Sequence, residues 1–193
     1  MDVRKGTAVC YGMAVCDVLI PGISREAFSH ETTRIPQFYY STGGDAMNEA
    51  VALVKLGHTA KLASLVGNDL FGEYIRQRGT EAGVDMSGLS SDTDLPTTVS
   101  LVCIHPDGER SFIVNRGADN AISEVCVSKD MLKAADVFAV GSAFCTQKLT
   151  QSLPALLRMA KNEGAITCVD VMRGGDADIK STAKEFFPYT TYH

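Results

Sequence analysis

The chain has no excess of basic residues. Its 18 Lys and Arg face 23 Asp and Glu, a formal charge of -5. Non-specific nucleic-acid binding needs a basic face, so that class is excluded, and an anionic ligand would need a local basic patch. No apolar run approaches the roughly 18 residues of a membrane span, so no membrane partner is expected. The opening stretch MDVRKGTAVCYGMAVCDVLI starts charged and turns apolar, but Gly12 and Asp17 interrupt it. It reads as a first strand, not as a signal peptide. The six cysteines (Cys10, Cys16, Cys103, Cys126, Cys145 and Cys168) form no CxxC, and the four histidines are scattered. Zinc needs clustered ligands, so no metal is expected; buried reduced thiols and a cytoplasmic location are. No Ser-His-Asp or Cys-His set can be placed.

What is present is a folding core. Hydrophobic residues make up 45% of the 193 and charged residues 21%, enough for one full globular domain. Helical spacing over 45–56 ends at Gly57, a strand follows over 60–66, then a helix over 70–82 ended by Gly83. This phrase marks βαβ units and a mostly parallel sheet, with an apolar first strand over 7–15. The rhythm then breaks. Two apolar runs, 97–104 and 110–115, flank His105-Pro106-Asp107-Gly108-Glu109, a hairpin signal. The β-like stretches 17–22 and 33–41 are expected to join them in a small antiparallel sheet. After residue 127 the βα rhythm returns: a helix over 128–134, a strand over 136–141, a helix over 149–163, a strand over 165–171 and a helix over 177–187. The final PYTTYH looks like the start of another strand.

The glycine turn Ser41-Thr42-Gly43-Gly44-Asp45-Ala46-Met47-Asn48 carries the strongest chemical signal. Gly43 and Gly44 let the backbone approach a ligand, and the helix that follows turns its free N–H groups toward the turn. No Lys-Ser/Thr follows, so it is not a Walker loop, and GMAVCD lacks the glycines of a dinucleotide fingerprint. Asn48 either faces the turn or satisfies local backbone. Asp17 and Asp170 end apolar runs, where ligands of open α/β sheets bind. Either is equally a solvated strand-end carboxylate. Arg173 can pair with a phosphate oxygen or simply with Asp170. Asn115 or Arg116 can reach a ligand from the hairpin, although Gly117 to Asn120 is also ordinary turn chemistry.

Taken in order, these pieces resemble the ribokinase-like, or PfkB, carbohydrate kinase family from about Val9 to His193. GMAVCDVLI looks like its first strand with a substrate-binding Asp, here Asp17. STGGDAMNEAVALVKLG looks like its first signature, LVGNDLFGEYI continues it with Gly67, Asp69 and Gly72, the hairpin looks like its lid, and CVDVMRG like a later strand. The resemblance implies a three-layer α/β/α fold with an incomplete, mostly parallel sheet and a small antiparallel β lid, 1–193 being the N-terminal part of one domain whose nucleotide-binding part is absent. It implies transfer of the ATP γ-phosphoryl group to a sugar or nucleoside hydroxyl. Asp17, Gly43, Gly44, Asp45, Asn48, Asn115, Asp170 and Arg173 are its acceptor-site candidates, with Asp45 at a position that varies among substrates. The family's Asn-x-x-Glu motif would follow PYTTYH, and its Gly-Ala-Gly-Asp motif with the catalytic base comes later still. The expectation is therefore the N-terminal part of a sugar kinase, inactive alone. ATP and Mg²⁺ would serve the full-length enzyme, with none bound to this chain. The alternative is a non-catalytic sugar-binding module, or one that forms a homodimer through the lid sheet, where Phe38, Tyr39, Tyr40 and Phe112 offer aromatic surface.

Overall fold

Alternation along the first strand builds both faces of the main sheet. In the computed structural model, which describes residues 5–172 and 179–193, β1 is Thr7–Tyr11. Its Ala8 and Cys10 pack on one face, against Ala46, Met47 and Ala50 of α1 (Asp45–Lys55) and Ile75 of α2 (Leu70–Glu81). Its Val9 and Tyr11 pack on the other, against α4 (Gln147–Asn162), α5 (Ile179–Phe186) and Leu132 of α3 (Lys129–Lys133). The result is three layers, with two apolar cores separated by the sheet. Fully buried Tyr11 meets Ser152 of α4 through a hydroxyl pair 2.8 Å apart, so the phenol is satisfied.

The other strands of this sheet are β4 (Thr59–Gly67), β5 (Leu89–Asp92), β8 (Val137–Ala143) and β9 (Ile166–Val171), in the order β5-β4-β1-β8-β9, all parallel. The pattern-based reading missed β5, whose four residues LSSD carry too little apolar signal for a strand. Near the chain end, Tyr192 bridges Cys168 in parallel, as the strand-like PYTTYH suggested.

The expected single strand over 7–15 is two elements. Gly12 adopts φ +145, a backbone that other residues rarely take, and its would-be Cβ would lie 3.2 Å from the Gly141 carbonyl carbon. The chain turns there and leaves the main sheet. β2 (Val15–Pro21), β3 (Tyr39–Gly43), β6 (Val99–Ile104) and β7 (Arg110–Asn115) form a second sheet, ordered β3-β2-β6-β7. This lid is mixed, not antiparallel as expected, because its central pair β2–β6 runs parallel. β2 and β6 both depart from the carboxyl end of the parallel sheet, so they head the same way. The strand expected over 33–41 forms only over Tyr39–Gly43; residues 31–38 are mostly irregular and exposed.

Two anchors fix the lid. Asp69 caps α2, accepting from the N–H groups of Phe71 (3.1 Å) and Gly72 (2.9 Å). The same carboxylate accepts from Thr97 N–H (2.8 Å) and Thr97 Oγ1 (2.6 Å), just where the chain enters β6. Burial pushes the Asp69 pKa up, but the bonds from Thr97, Gly72 and Phe71 outweigh it and hold the carboxyl below its usual range. At the far end of the hairpin, buried His105 joins Ile23 O and Ser111 Oγ, each at 2.8 Å.

Candidate functional site

Between the lid and the carboxyl end of the main sheet lies a cavity of about 330 Å³. Its floor is the glycine turn. Gly44 caps α1 at φ +85, and a Cβ there would come within 2.7 Å of the Met13 carbonyl carbon, so only glycine fits. Asp45 follows as the first helical residue, where the positive end of the helix dipole favours a carboxylate. The Ser142 hydroxyl donates to Asp45 Oδ2. Gly43 is buried because the Asp17 carboxylate occupies the space where its side chain would be.

Asp17 is therefore not at the end of β1, as expected. It lies inside lid strand β2, beside Ser41 of β3 and Ser100 of β6. It is half-buried and faces the cavity. Burial pushes its pKa up, and a hydrogen bond from Ser100 partly offsets this. Phe112 and Val114 of β7 form an apolar wall, and Arg116, just past β7, lines the same cavity. Beneath them Asp119 is fully buried, and neither carboxyl oxygen has a hydrogen-bond partner. The Thr98 hydroxyl beside it is committed to the Arg116 carbonyl. Burial pushes Asp119 up to about 7, with Thr98 and Arg116 acting in the opposite direction.

Of the candidate residues, the structure thus brings Asp17, Gly43, Gly44 and Asp45 together. Asn48 is exposed on α1, and Asn115 is exposed at the end of β7, its Oδ1 accepting from Gly117 N–H at 3.2 Å. Neither lines the cavity. Asp170 borders a different hollow of about 510 Å³ on the α1 face, with Glu49, Leu53, Val137, Cys168 and Tyr192. There burial pushes Glu49 up to about 7, reinforced by Asp170 and Asp45. Arg173 lies outside the described residues. Ser100, Asp119 and Ser142 were not singled out from sequence. Ser100 is one more apolar-run serine, and the other two acquire a role only when distant elements meet. Among the described residues no three His, Cys, Asp or Glu converge as a metal site.

The comparisons with known proteins bear on the family and the fold. The pfkB family carbohydrate kinase model matches residues 6–193. A probable fructokinase-3 of Arabidopsis thaliana is 28% identical over 170 residues, covering 86% of this chain and 48% of that protein. The chain spans about half the length of the curated relatives it matches. Among solved structures, fructokinase from Xylella fastidiosa with bound ATP superposes with a TM-score of 0.79 at 23% identity, covering 96% of this chain and 59% of the other. Ribokinase from Arabidopsis thaliana complexed with ribose and ATP gives 0.73 at 21%, covering 90% and 55%. With a family model covering nearly its whole length and a ribokinase-like fold of sheet and lid, the chain belongs to the pfkB family of carbohydrate kinases.

Proposed function

We propose that this chain carries the acceptor-binding part of a sugar kinase, and that its ligand is a ketohexose or a close relative. The observation that carries the reading is the convergence of Asp17, Asp45 and Ser100 on one cavity above a glycine turn. Carboxylates accept strong, charge-assisted hydrogen bonds from hydroxyls, and two of them on separate elements match a polyol with several. Phe112 offers an apolar wall to the C–H face of a sugar ring, and Arg116 offers donors to its oxygens. The choice of a ketohexose follows the fructokinases among the relatives. Phosphoryl transfer also needs a donor, neutralised charge and a base for the acceptor hydroxyl. In the family these come with ATP and Mg²⁺, and we assign none of those roles to a residue of this chain.

Calorimetric titration with D-fructose, D-ribose and adenosine tests the reading. Saturable binding of fructose is expected, weaker binding of the other two, and no ADP release in a coupled assay with ATP. Absence of binding to every sugar would sink the acceptor reading. ADP release that Asp17→Ala abolishes would show that the chain is a complete catalyst.

A second reading concerns association. Strand β7 is an outer strand whose residues are nearly all exposed, including Ile113, and at the opposite edge of the lid, at and before β3, Phe38, Tyr39 and Tyr40 are 47–53% exposed. Such an edge invites pairing with another strand. Sedimentation equilibrium is expected to show a dimer that Ile113→Lys converts to monomer. A monomer at all concentrations would remove this reading.

A further inference from the structure

We propose that Ser142 is a positioning residue of the acceptor site, holding the Asp45 carboxylate in one orientation opposite Arg116. This rests on the cavity being the sugar site. The argument begins with backbone. At the carboxyl end of β8 the pairing with β9 shifts register between Val140 and Ala143. Gly141 lies flush against the first turn of α1: a Cβ there would be 2.6 Å from Ala46 N and 2.9 Å from the Asp45 carbonyl carbon. The next residue, Ser142, takes φ +62 and is completely buried. Left-handed backbone at a non-glycine residue is uncommon and unfavourable, and it persists only where surrounding structure imposes it. Here it turns the hydroxyl onto Asp45 Oδ2.

The loop is held from behind. Phe144 is also left-handed, at φ +70, and its buried ring packs on Phe186 of α5 with centroids 5.7 Å apart. For a bulky aromatic this is a clear backbone outlier. The following residue, Cys145, lies near Arg116, whose charge partly offsets the upward push of burial on the thiol. A single loop therefore touches the acidic group on α1 through Ser142 and runs beside the basic group at the lid. It is anchored in the core between those two points. An aspartate at the first position of a helix otherwise samples several rotamers, and a ligand that needs one must order it on binding. The Ser142 hydroxyl removes that freedom and occupies one oxygen, directing the other to the cavity.

Ser142→Ala and Ser142→Gly separate positioning from stability. Both delete the hydroxyl, but only glycine relaxes the φ +62 backbone, so the glycine variant should melt higher than the alanine one. Three-bond NMR couplings are expected to show one Asp45 χ1 rotamer in the unsubstituted chain and an average in both variants. Affinity for D-fructose is expected to fall about tenfold in both alike, consistent with loss of one ordering hydrogen bond. Neither variant should weaken binding further in an Asp45→Ala background. An Asp45 rotamer unchanged by both substitutions would overturn the proposal. So would affinities that follow the melting temperatures. If the unsubstituted chain binds no sugar, the acceptor reading fails while the couplings still decide whether Ser142 orders Asp45.

Discussion

At pH 8 Asp119→Asn is expected to resist urea better than the unsubstituted chain, whereas near pH 4 the two should unfold alike. Asp119 is buried at the junction of lid and sheet with no hydrogen bond to its carboxyl oxygens. Burial pushes its pKa in the fold up to about 7, against 3.8 for an ordinary aspartate. Below the lower value both folded and unfolded states carry the proton, and the group costs the fold nothing. Between the two values the unfolded chain has lost its proton while the folded one keeps it, so stability falls as pH rises. Above about 7 the full cost remains, because the folded state then holds an unpartnered charge. The difference between the two values amounts to up to about 4 kcal/mol, a large part of the stability of a domain this size. Glu49, also raised to about 7, slopes the same way and should leave a residual trend in the variant. Asp69 and Asp85, whose pKa values are lowered, act oppositely and lose their contribution only as pH falls through the acid range. The interval from about 4 to 7 therefore isolates the raised groups. The chain has no tryptophan, so far-UV circular dichroism is the natural probe of the urea midpoint. Parallel pH profiles for the two proteins would show that the Asp119 carboxyl is satisfied and not a stored cost.

Asp17→Ala is expected to weaken sugar binding by about 10- to 150-fold, or about 1.5–3 kcal/mol, the range for a hydrogen bond to a charged group. The carboxylate lies over Gly43 of β3, within β2, beside its register partner Ser100 on β6. It is thus held by two lid strands and needs no ordering when a ligand arrives. Removing it costs the fold little, since burial already penalises its charge. Calorimetry on a variant whose melting temperature is unchanged should show the loss in affinity alone. Asp17→Asn, which keeps the shape and one acceptor oxygen, should fall between. Because burial raises the Asp17 pKa, affinity in the unsubstituted chain should rise with pH as this group ionises, and that trend should vanish in Asp17→Ala. Unchanged affinity would leave Asp17 as a lid residue with no part in binding.

Local pattern decided much of this protein by itself. Alternation and helical spacing, punctuated by Gly57, Gly83 and Gly164, set the order of helices and parallel strands. Each such signal is written within a dozen residues and needs nothing distant to act. Pro106-Asp107-Gly108 likewise sets the hairpin, because a turn is a local backbone preference. The residues of the glycine turn announce close approach in the same way, and Gly44 at φ +85 bears this out.

Tertiary structure decided which sheet each strand joined. No residue in VCDVLIP states that β2 pairs with β3 and β6 and not with β1; the turn at Gly12 and the backbone packed against it do. That choice moved Asp17 from a strand end into the lid and onto the cavity. It also sent Asp170 to a separate hollow, since β9 stays in the main sheet while the lid rises over β1. Asp119 and Ser142 sit in unremarkable sequence, ADN and GSA, and their meaning comes from partners 21 and 97 residues away. Burial and proximity between distant segments are properties of the packed chain, so a carboxyl without a partner and a serine forced left-handed became visible only in the fold.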